Sequence, residues 1–194
     1  MGNVGAIILA AGGSSRFGQP KQLLSWQGES LVRRAVRSAS EAGCGRVTVV
    51  AGEARDRIET ELHGTSAEIV ENAEWRCGLG TSIHCGLRHL LNSQPEPDSV
   101  VLLVCDQPFV DAGVIRSLLA QRDNSGKPIV ACSYAGTLGV PALFDRACFE
   151  ALLAVADDSG AKALIEARPA DVARIEFEKG AMDIDTPADF HSCL

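Results

Sequence analysis

The stretch LAAGGSSRFGQPK, residues Leu9 to Lys21, follows the short apolar run VGAII. Its adjacent glycines, two serines and two basic residues have the composition of a loop that leaves a strand. Glycine lets a ligand approach the backbone closely and permits positive φ angles. Successive backbone N–H groups in such a loop form an anion nest. The stretch therefore predicts a loop that holds a phosphate chain, although a solvated Gly/Ser loop fits the same residues equally well when they are taken alone.

Two well-known phosphate-binding loops do not match this stretch. A Walker A loop reads GxxxxGK[ST], and Gly13 and Gly18 have the right spacing, but Gln19 stands where lysine is required. A dinucleotide-binding fingerprint reads GxGxxG, and the serines after Gly13 break that pattern. The loop therefore belongs to neither class.

Short apolar runs alternate with helical patterns along the chain. This alternation predicts βαβ units, and hence an α/β fold with a mostly parallel sheet and helices on both faces. The predicted strands are Ala6–Leu9, Arg46–Val50, Glu68–Val70, Val100–Val104, Ile129–Cys132 and Val172–Phe177. The predicted helices are one capped by Ser30 and ended by Gly43, then Arg55–Leu62, Ser82–Leu91, Asp111–Arg122 and Ala147–Val155.

Composition and charge limit the classes of protein that fit. The chain has 194 residues and a net charge of −7, which argues against a protein that binds nucleic acid. Seven cysteines without a CxxC pair match neither a disulfide framework nor a zinc site, so we expect reduced, mostly buried thiols in a cytoplasmic protein. The chain opens without the pattern of a signal peptide, and no apolar run is long enough to span a membrane.

Two acidic positions are candidate metal ligands. In VVLLVCDQP, Asp106 follows a predicted strand, and a carboxylate at the carboxyl end of a strand beside a phosphate loop suits Mg²⁺. In MDIDTP, which contains Asp183 and Asp185 before a proline, Asp185 is placed to complete that site. A turn-forming role for Asp106 and a helix-capping role for Asp185 remain the alternatives.

The stretch GLGTSIHCGL places Gly80 and Ser82 at a junction between a loop and a helix. Hydroxyl and N–H groups at such a junction can read a base. The alternative is a glycine-rich turn in which Ser82 is the N-cap of the helix.

Taken together, these stretches resemble the nucleotidyltransferases of the molybdenum cofactor type, over nearly the whole chain. The first loop matches the family signature LAAGxSxRxGxPK. The segments CDQP, Gly139-Val-Pro141-Ala-Leu-Phe144 and Asp185-Thr-Pro187 follow in the order expected of the family. Ala11 stands where the guanylyltransferases of the family typically carry a second glycine, and the piece from Ser82 to Leu87 resembles the base-binding segment of cytidylyltransferases.

The resemblance implies one nucleotidyltransferase domain over residues 1–194, with a three-layer Rossmann-like fold and one or more antiparallel strands. It implies transfer of a nucleoside monophosphate, with CMP from CTP favoured, to a phosphorylated acceptor such as molybdopterin, with Mg²⁺ as cofactor and release of pyrophosphate. By resemblance, Arg16, Lys21 and Asp106 are catalytic, and Asp106 and Asp185 bind the metal. The nucleotide-binding residues it implies are Leu9, Ala10, Ala11, Gly12, Gly13, Ser14, Ser15, Arg16, Lys21, Gly80, Ser82 and Asp106.

The same resemblance places Gly139, Pro141, Asp158 and Gly160 in the acceptor pocket. Asp157 departs from the family, which carries glycine before the aspartate that corresponds to Asp158. Two alternatives stay open: transfer to a sugar phosphate or other alcohol phosphate, and a binding chaperone that hands the pterin cofactor to a molybdoenzyme. We read the four histidines and both tryptophans as surface or packing residues.

Overall fold

A computed structural model describes residues 2–13 and 17–193 of the chain. Its central sheet has seven strands in the order β5-β4-β1-β6-β8-β7-β9. These strands are β1 (Val4–Ala10), β4 (Arg46–Ala51), β5 (Glu68–Glu71), β6 (Ser99–Val104), β7 (Ile129–Tyr134), β8 (Thr137–Asp145) and β9 (Val172–Glu176). A separate two-stranded hairpin pairs β2 (Ser25–Trp26) with β3 (Glu29–Ser30).

Seven α-helices connect or flank these strands in the described part of the chain. They are α1 (Leu31–Glu41), α2 (Arg55–Glu61), α3 (Leu79–Leu91), α4 (Ala112–Ser125), α5 (Phe149–Leu153), α6 (Ala161–Ala167) and α7 (Pro187–Ser192). None of these helices is long and apolar enough to cross a membrane.

The sheet is parallel except at one strand. β1 lies between β4 and β6 and runs parallel to both, and all seven of its residues are buried. A strand that is covered on both faces reads as a continuous apolar run, which is why its sequence lacks polar alternation. β8 is antiparallel to β6 and to β7. The antiparallel strand implied by the family resemblance is therefore confirmed.

Two apolar cores cover the two faces of the sheet. On one face, α1, α2 and α4 pack on side chains such as Ile8, Val49 and Leu103. On the other face, α3, α5 and α6 pack on Val50 and Leu102, which are adjacent in sequence to Val49 and Leu103 and point to the opposite side of the sheet. The predicted three-layer α/β architecture is confirmed.

A third, smaller core lies between the hairpin and the last helix. Leu24, Trp26, Leu31 and Ile184 are buried there, and the Trp26 indole N–H donates to the carbonyl oxygen of Cys193 at 3.1 Å. Trp26 is thus a packing residue, as predicted. This core anchors the Asp183–Asp185 segment beside the sheet.

Every cysteine lies in the described residues as a free thiol, and Cys44, Cys105, Cys132 and Cys148 are buried. Burial raises the pKa of the Cys44 thiol to about 11 and that of Cys132 to about 12. These thiols are therefore protonated side chains of the core at neutral pH.

The predicted elements differ from the observed ones mainly at their ends. All six predicted strands are present, with shifts of one or two residues. The prediction missed β8 as a strand, both short hairpin strands and the helix α6, whereas it expected a last helix after Asp185, which is α7, without giving its bounds. The predicted helix Ala147–Val155 is shorter, because Arg146–Cys148 forms a 3₁₀ turn before α5 begins at Phe149.

Candidate functional site

The carboxyl ends of the parallel strands meet at one edge of the sheet, and a cavity of about 650 Å³ opens there. Gly12 and Gly13 follow β1, and Asp106 follows β6, so the predicted phosphate loop and the predicted metal ligand share this edge. Open α/β sheets bind their ligands in such crevices. The cavity is lined by Leu9, Ala11, Gly12, Gly13, Lys21, Gln22, Glu53, Trp75, Arg76, Gly78, Leu79, Ser82, Val104, Cys105 and Asp106.

The side chain of Gln22 fixes the start of the loop that follows β1. Its Nε2 donates to the carbonyl oxygens of Ala10, at 2.8 Å, and Gly12, at 2.7 Å. The side chain is almost fully buried. Because both carbonyls are tied down, the loop leaves β1 in a fixed direction. The sequence pattern does not mark Gln22, since a single amide carries no spacing signal.

Lys21 lies between the two predicted metal ligands, Asp106 and Asp185. Its Nζ is 2.6 Å from Oδ2 of Asp106 and 3.0 Å from Oδ1 of Asp185. Burial opposes the charge of the ammonium group, but the two carboxylates outweigh this effect and raise the pKa of Lys21. A cation thus already lies between these carboxylates.

The segment that carries Asp185 is fixed against the end of β6. The backbone N–H of Ile184 donates to the carbonyl oxygen of Asp106 at 2.9 Å, and the Ile184 side chain is fully buried. The predicted capping alternative for Asp185 is wrong, because Thr186 is the N-cap of α7 in a capping box with Asp189. Asp185 is left with 54% of its side chain exposed at the site.

Asp183 is a third carboxylate at this corner of the site. Partial burial, and then the negative charge of Asp106, raise the pKa of Asp183 to about 6. The acidic cluster therefore disfavours further negative charge in the absence of an added cation.

The start of α3 forms the opposite wall of the cavity. The helix begins at Leu79 with Gly78 as its N-cap, so the alternative in which Ser82 caps the helix is wrong. Ser82 lies in the first turn, and its hydroxyl oxygen accepts a hydrogen bond from Nδ2 of Asn72 at 3.0 Å. The sequence analysis did not single out Asn72, which is buried at the end of β5.

Gly80 does not line the cavity and instead contacts the loop before α6. Its backbone N–H donates to the carbonyl oxygen of Asp157 at 2.9 Å. A Cβ atom on Gly80 would lie 2.2 Å from the carbonyl oxygen of Ala156, and one on Gly78 would lie 2.3 Å from that of Asp157. Both glycines therefore permit the loop before α6 to pack directly on the start of α3.

Trp75 lines the cavity, although the sequence suggested only packing. Its ring lies against Gly13 and Gly52, where added Cβ atoms would come within 2.9 Å of it. The guanidinium of Arg76 lies 4.5 Å from the centre of this ring and 3.8 Å from Glu53. The wall therefore offers an aromatic side chain and a highly exposed cation.

The four predicted acceptor residues fall into two pairs. Asp158 and Gly160 lie beside Gly78 and Leu79, so they border the cavity wall. Gly139 lies on β8 under the Tyr134 hydroxyl, where a Cβ atom would be 2.4 Å from that oxygen. Pro141 is buried in β8. Neither Gly139 nor Pro141 lines the cavity.

Three predicted nucleotide-binding residues, Ser14, Ser15 and Arg16, lie outside the described residues. Ala10 is buried behind the loop and contributes its carbonyl oxygen to Gln22. Leu9, Ala11, Gly12, Gly13, Lys21, Ser82 and Asp106 all line the one cavity.

The sequence of this chain matches the model of the MobA-like NTP transferase domain over residues 6–172. The chain belongs to this family. The match covers the strands from β1 to the start of β9 and therefore most of the sheet that carries the cavity.

Curated proteins with several different names are similar in sequence to this chain. A probable molybdenum cofactor guanylyltransferase of Bacillus cytotoxicus is 28% identical over 67% of the chain, and the match spans 62% of that relative. The molybdenum cofactor cytidylyltransferase of Escherichia coli is 24% identical over 98% of the chain and 95% of the relative. Nicotine blue oxidoreductase of Paenarthrobacter nicotinovorans is 26% identical over 98% of the chain and 96% of the relative.

The fold of this MobA-like chain matches that of Rv0371c from Mycobacterium tuberculosis H37Rv. The two structures superpose with a TM-score of 0.83 at 26% identity, covering 100% of this chain and 97% of the other. A structure of Rv0371c in complex with manganese matches with a TM-score of 0.79 at 24% identity, covering 99% and 98% of the two chains. The predicted Rossmann-like nucleotidyltransferase fold is thereby confirmed.

Proposed function

We propose that this MobA-like protein transfers CMP from CTP to the phosphate of a molybdopterin-type acceptor and releases pyrophosphate. The observation that carries the proposal is the meeting of Gly12, Gly13, Lys21 and Asp106 in one cavity at the carboxyl edge of the sheet. A glycine loop supplies N–H groups that bind phosphates. A lysine supplies a positive charge on a flexible side chain, which can move with the phosphates during the reaction. These groups support binding of a nucleoside triphosphate in this cavity.

The reaction needs no covalent nucleophile from the protein. An oxygen of the acceptor phosphate attacks the α-phosphorus in line and forms a new O–P bond, while the bond from the α-phosphorus to the bridging oxygen breaks and pyrophosphate departs. Lys21 stabilises the negative charge on the phosphates, and the first loop holds them in position. Catalysis then consists of positioning and electrostatic stabilisation.

Asp106 and Asp185 are the residues that would hold Mg²⁺. Magnesium is usually bound by one or two carboxylates together with substrate phosphates, rather than by a complete protein cage. Among the described residues, no group of three or more His, Cys, Asp or Glu side chains is arranged so that it could hold a metal ion by itself. The position of Lys21 between Asp106 and Asp185 fits a site that a nucleotide completes. When bound, the ion would neutralise charge between carboxylates and phosphates.

The choice of CTP rests on Ala11 and on the stretch from Ser82 to Leu87. Relatives named for guanylyl transfer and for cytidylyl transfer are both similar to this chain. A thermal-shift comparison of CTP, GTP, ATP and UTP with Mg²⁺ tests the donor, because the nucleotide that binds the native state most tightly raises its stability most. A larger shift with GTP than with CTP would reverse the assignment.

The test of the whole proposal is pyrophosphate release from Mg²⁺-CTP in the presence and absence of molybdopterin. We expect release that depends on both substrates and a CMP-containing product. The transferred product would then pass to a molybdoenzyme. Binding of molybdopterin without turnover by any of the four triphosphates would favour the chaperone alternative.

The relative named an oxidoreductase makes a redox enzyme the second candidate, since the match covers almost the full length of both chains. The two candidates differ in the reaction that they catalyse. Redox turnover, without binding of any nucleoside triphosphate, would favour the redox function over transfer.

A further inference from the structure

Asn72 uses its side-chain amide to connect three parts of the cavity wall. It lies one residue beyond β5, is 5% exposed, and donates its two Nδ2 hydrogens to the hydroxyl oxygens of Thr81, at 2.8 Å, and Ser82, at 3.0 Å. Its Oδ1 accepts the backbone N–H of Glu74 at 3.0 Å, which begins the turn that leads to Trp75. This amide is the shared partner of the first turn of α3.

The two hydroxyl groups that Asn72 contacts are not equivalent. Thr81 Oγ1 lies 2.8 Å from the carbonyl oxygen of Gly78, so its hydrogen has an acceptor inside the helix. Within residues 2–13 and 17–193, the Ser82 hydroxyl makes its hydrogen bond with Asn72 and has no acceptor for its own hydrogen. Ser82 is 3% exposed and lines the cavity.

An amide nitrogen donates and cannot accept, so Asn72 occupies a lone pair of the Ser82 oxygen. The hydrogen of this hydroxyl is left for another acceptor, and the space that Ser82 borders is the cavity. A buried donor without an acceptor is unfavourable, and a ligand that supplies the acceptor removes this cost.

We infer that Asn72 is a positioning residue that fixes the Ser82 hydroxyl as a hydrogen-bond donor to an acceptor atom of the nucleobase. This inference rests on the proposed function and names the polarity of its base site. The phosphates are assigned to Gly12, Gly13 and Lys21, which lie on the β1 side of the cavity, whereas Ser82 lies on the α3 side. The matching base atom is a carbonyl oxygen or an unprotonated ring nitrogen, such as O2 or N3 of cytosine.

Asn72→Asp is the variant that tests this polarity. The carboxylate keeps the acceptor for Glu74 but accepts from Ser82, so the serine hydrogen is turned away from the cavity. We expect CTP with Mg²⁺ to bind about tenfold more weakly by titration calorimetry. Binding of inorganic tripolyphosphate with Mg²⁺ should change by less than about twofold, because the side chain of Asn72 is hydrogen-bonded to Thr81, Ser82 and Glu74 rather than to the residues assigned to the phosphates, Gly12, Gly13 and Lys21.

A double-mutant cycle with Ser82→Ala separates positioning from general structural damage. In the Ser82→Ala background, Asn72→Asp should weaken CTP binding by less than about twofold, because the hydroxyl on which it acts is gone. Thr81→Val is the matched control, since it removes the other partner of Asn72 and leaves Ser82 in place. Asn72→Ser, which buries no charge, is carried through the same cycle in case the aspartate variant does not fold.

The outcomes are distinct. The inference is supported if Asn72→Asp weakens CTP binding in the wild-type background but not in the Ser82→Ala background. Binding of tripolyphosphate should then be unaffected, and the preference among CTP, GTP, ATP and UTP should be reduced. Equal losses in both backgrounds, or a uniform loss for all four nucleotides, overturn it, because the latter indicates a contact to the shared ribose. A wild-type protein that binds none of the four overturns the proposed function and this inference with it.

Discussion

Asp106 has two separate roles at the site, one through its backbone and one through its side chain. Its carbonyl oxygen accepts the N–H of Ile184, and its carboxylate pairs with Lys21. Asp106→Asn keeps the backbone role and removes one charge. We expect turnover to fall by orders of magnitude, while the free energy of unfolding changes by about 1 kcal/mol or less, since partly exposed ion pairs contribute little.

The control for this variant is Asp111→Asn. Asp111 caps α4 by accepting the N–H of Val114 at 3.0 Å, and asparagine caps helices equally well. Melting temperature and pyrophosphate release are measured on each preparation. Near-native turnover of Asp106→Asn would show that its carboxylate has no part in the reaction.

The raised pKa of Asp183 predicts that the stability of the protein depends on pH. Because its pKa is raised to about 6 by burial and by Asp106, the folded protein binds a proton more tightly than the unfolded chain does. The stability that this proton contributes is present at low pH and is lost as the pH rises through about 6. With the metal removed by a chelator, Asp183→Asn should therefore stabilise the protein more at about pH 8 than at about pH 4. Equal effects in urea denaturation at both values would contradict this.

At the residue scale, the sequence predicted Lys21, Asp106 and Asp185 because each belongs to a motif with fixed spacing. Gln22 and Asn72 are single amides whose partners are distant in sequence or are backbone atoms, so no local pattern marks them. Trp75 was read as packing because the sequence does not show that the turn after β5 brings its ring over Gly13.

The start of α3 depends on the close approach of the loop before α6. Gly80→Ala places a methyl group 2.2 Å from the carbonyl oxygen of Ala156, so the loop or the helix must move. We expect a loss of about 1–3 kcal/mol in the free energy of unfolding, as is typical of overpacking. Gly12→Ala is the control, because a Cβ atom there meets nothing within 4 Å in the described structure. Equal stability of the two variants would show that the loop does not press on α3.

Among the elements, the buried parallel strands were the most predictable. Their apolar runs reflect coverage on both faces, which is a local property of the sequence. β8 was missed because it contains Gly139 and Pro141, which ordinarily interrupt strands. Here Gly139 makes room for the Tyr134 hydroxyl, which donates to the carbonyl oxygen of Val140 at 2.9 Å, so a tertiary contact makes glycine favourable.

At the scale of the whole molecule, we expect the metal ion and the nucleotide to bind cooperatively. The phosphates of a bound nucleotide attract Lys21 away from Asp106 and Asp185. These two carboxylates then have no cation between them and repel each other. A divalent cation removes this repulsion, so Mg²⁺ should tighten CTP binding. We expect a larger rise in melting temperature for Mg²⁺ with CTP than the sum of the rises for each alone. Additive shifts would show that Lys21 stays with the carboxylates when the nucleotide binds.

The attachment of Asp185 to the end of β6 has a consequence for the order in which the protein is made. Lys21 and Asp185 are 164 positions apart, and all seven strands of the sheet precede Asp183 along the chain. A nascent chain on the ribosome therefore contains the residues of all seven strands before the last carboxylate of the site has been synthesised. A chain that stops after β9 has the residues of the whole sheet but lacks Asp185, and so lacks the second carboxylate that pairs with Lys21.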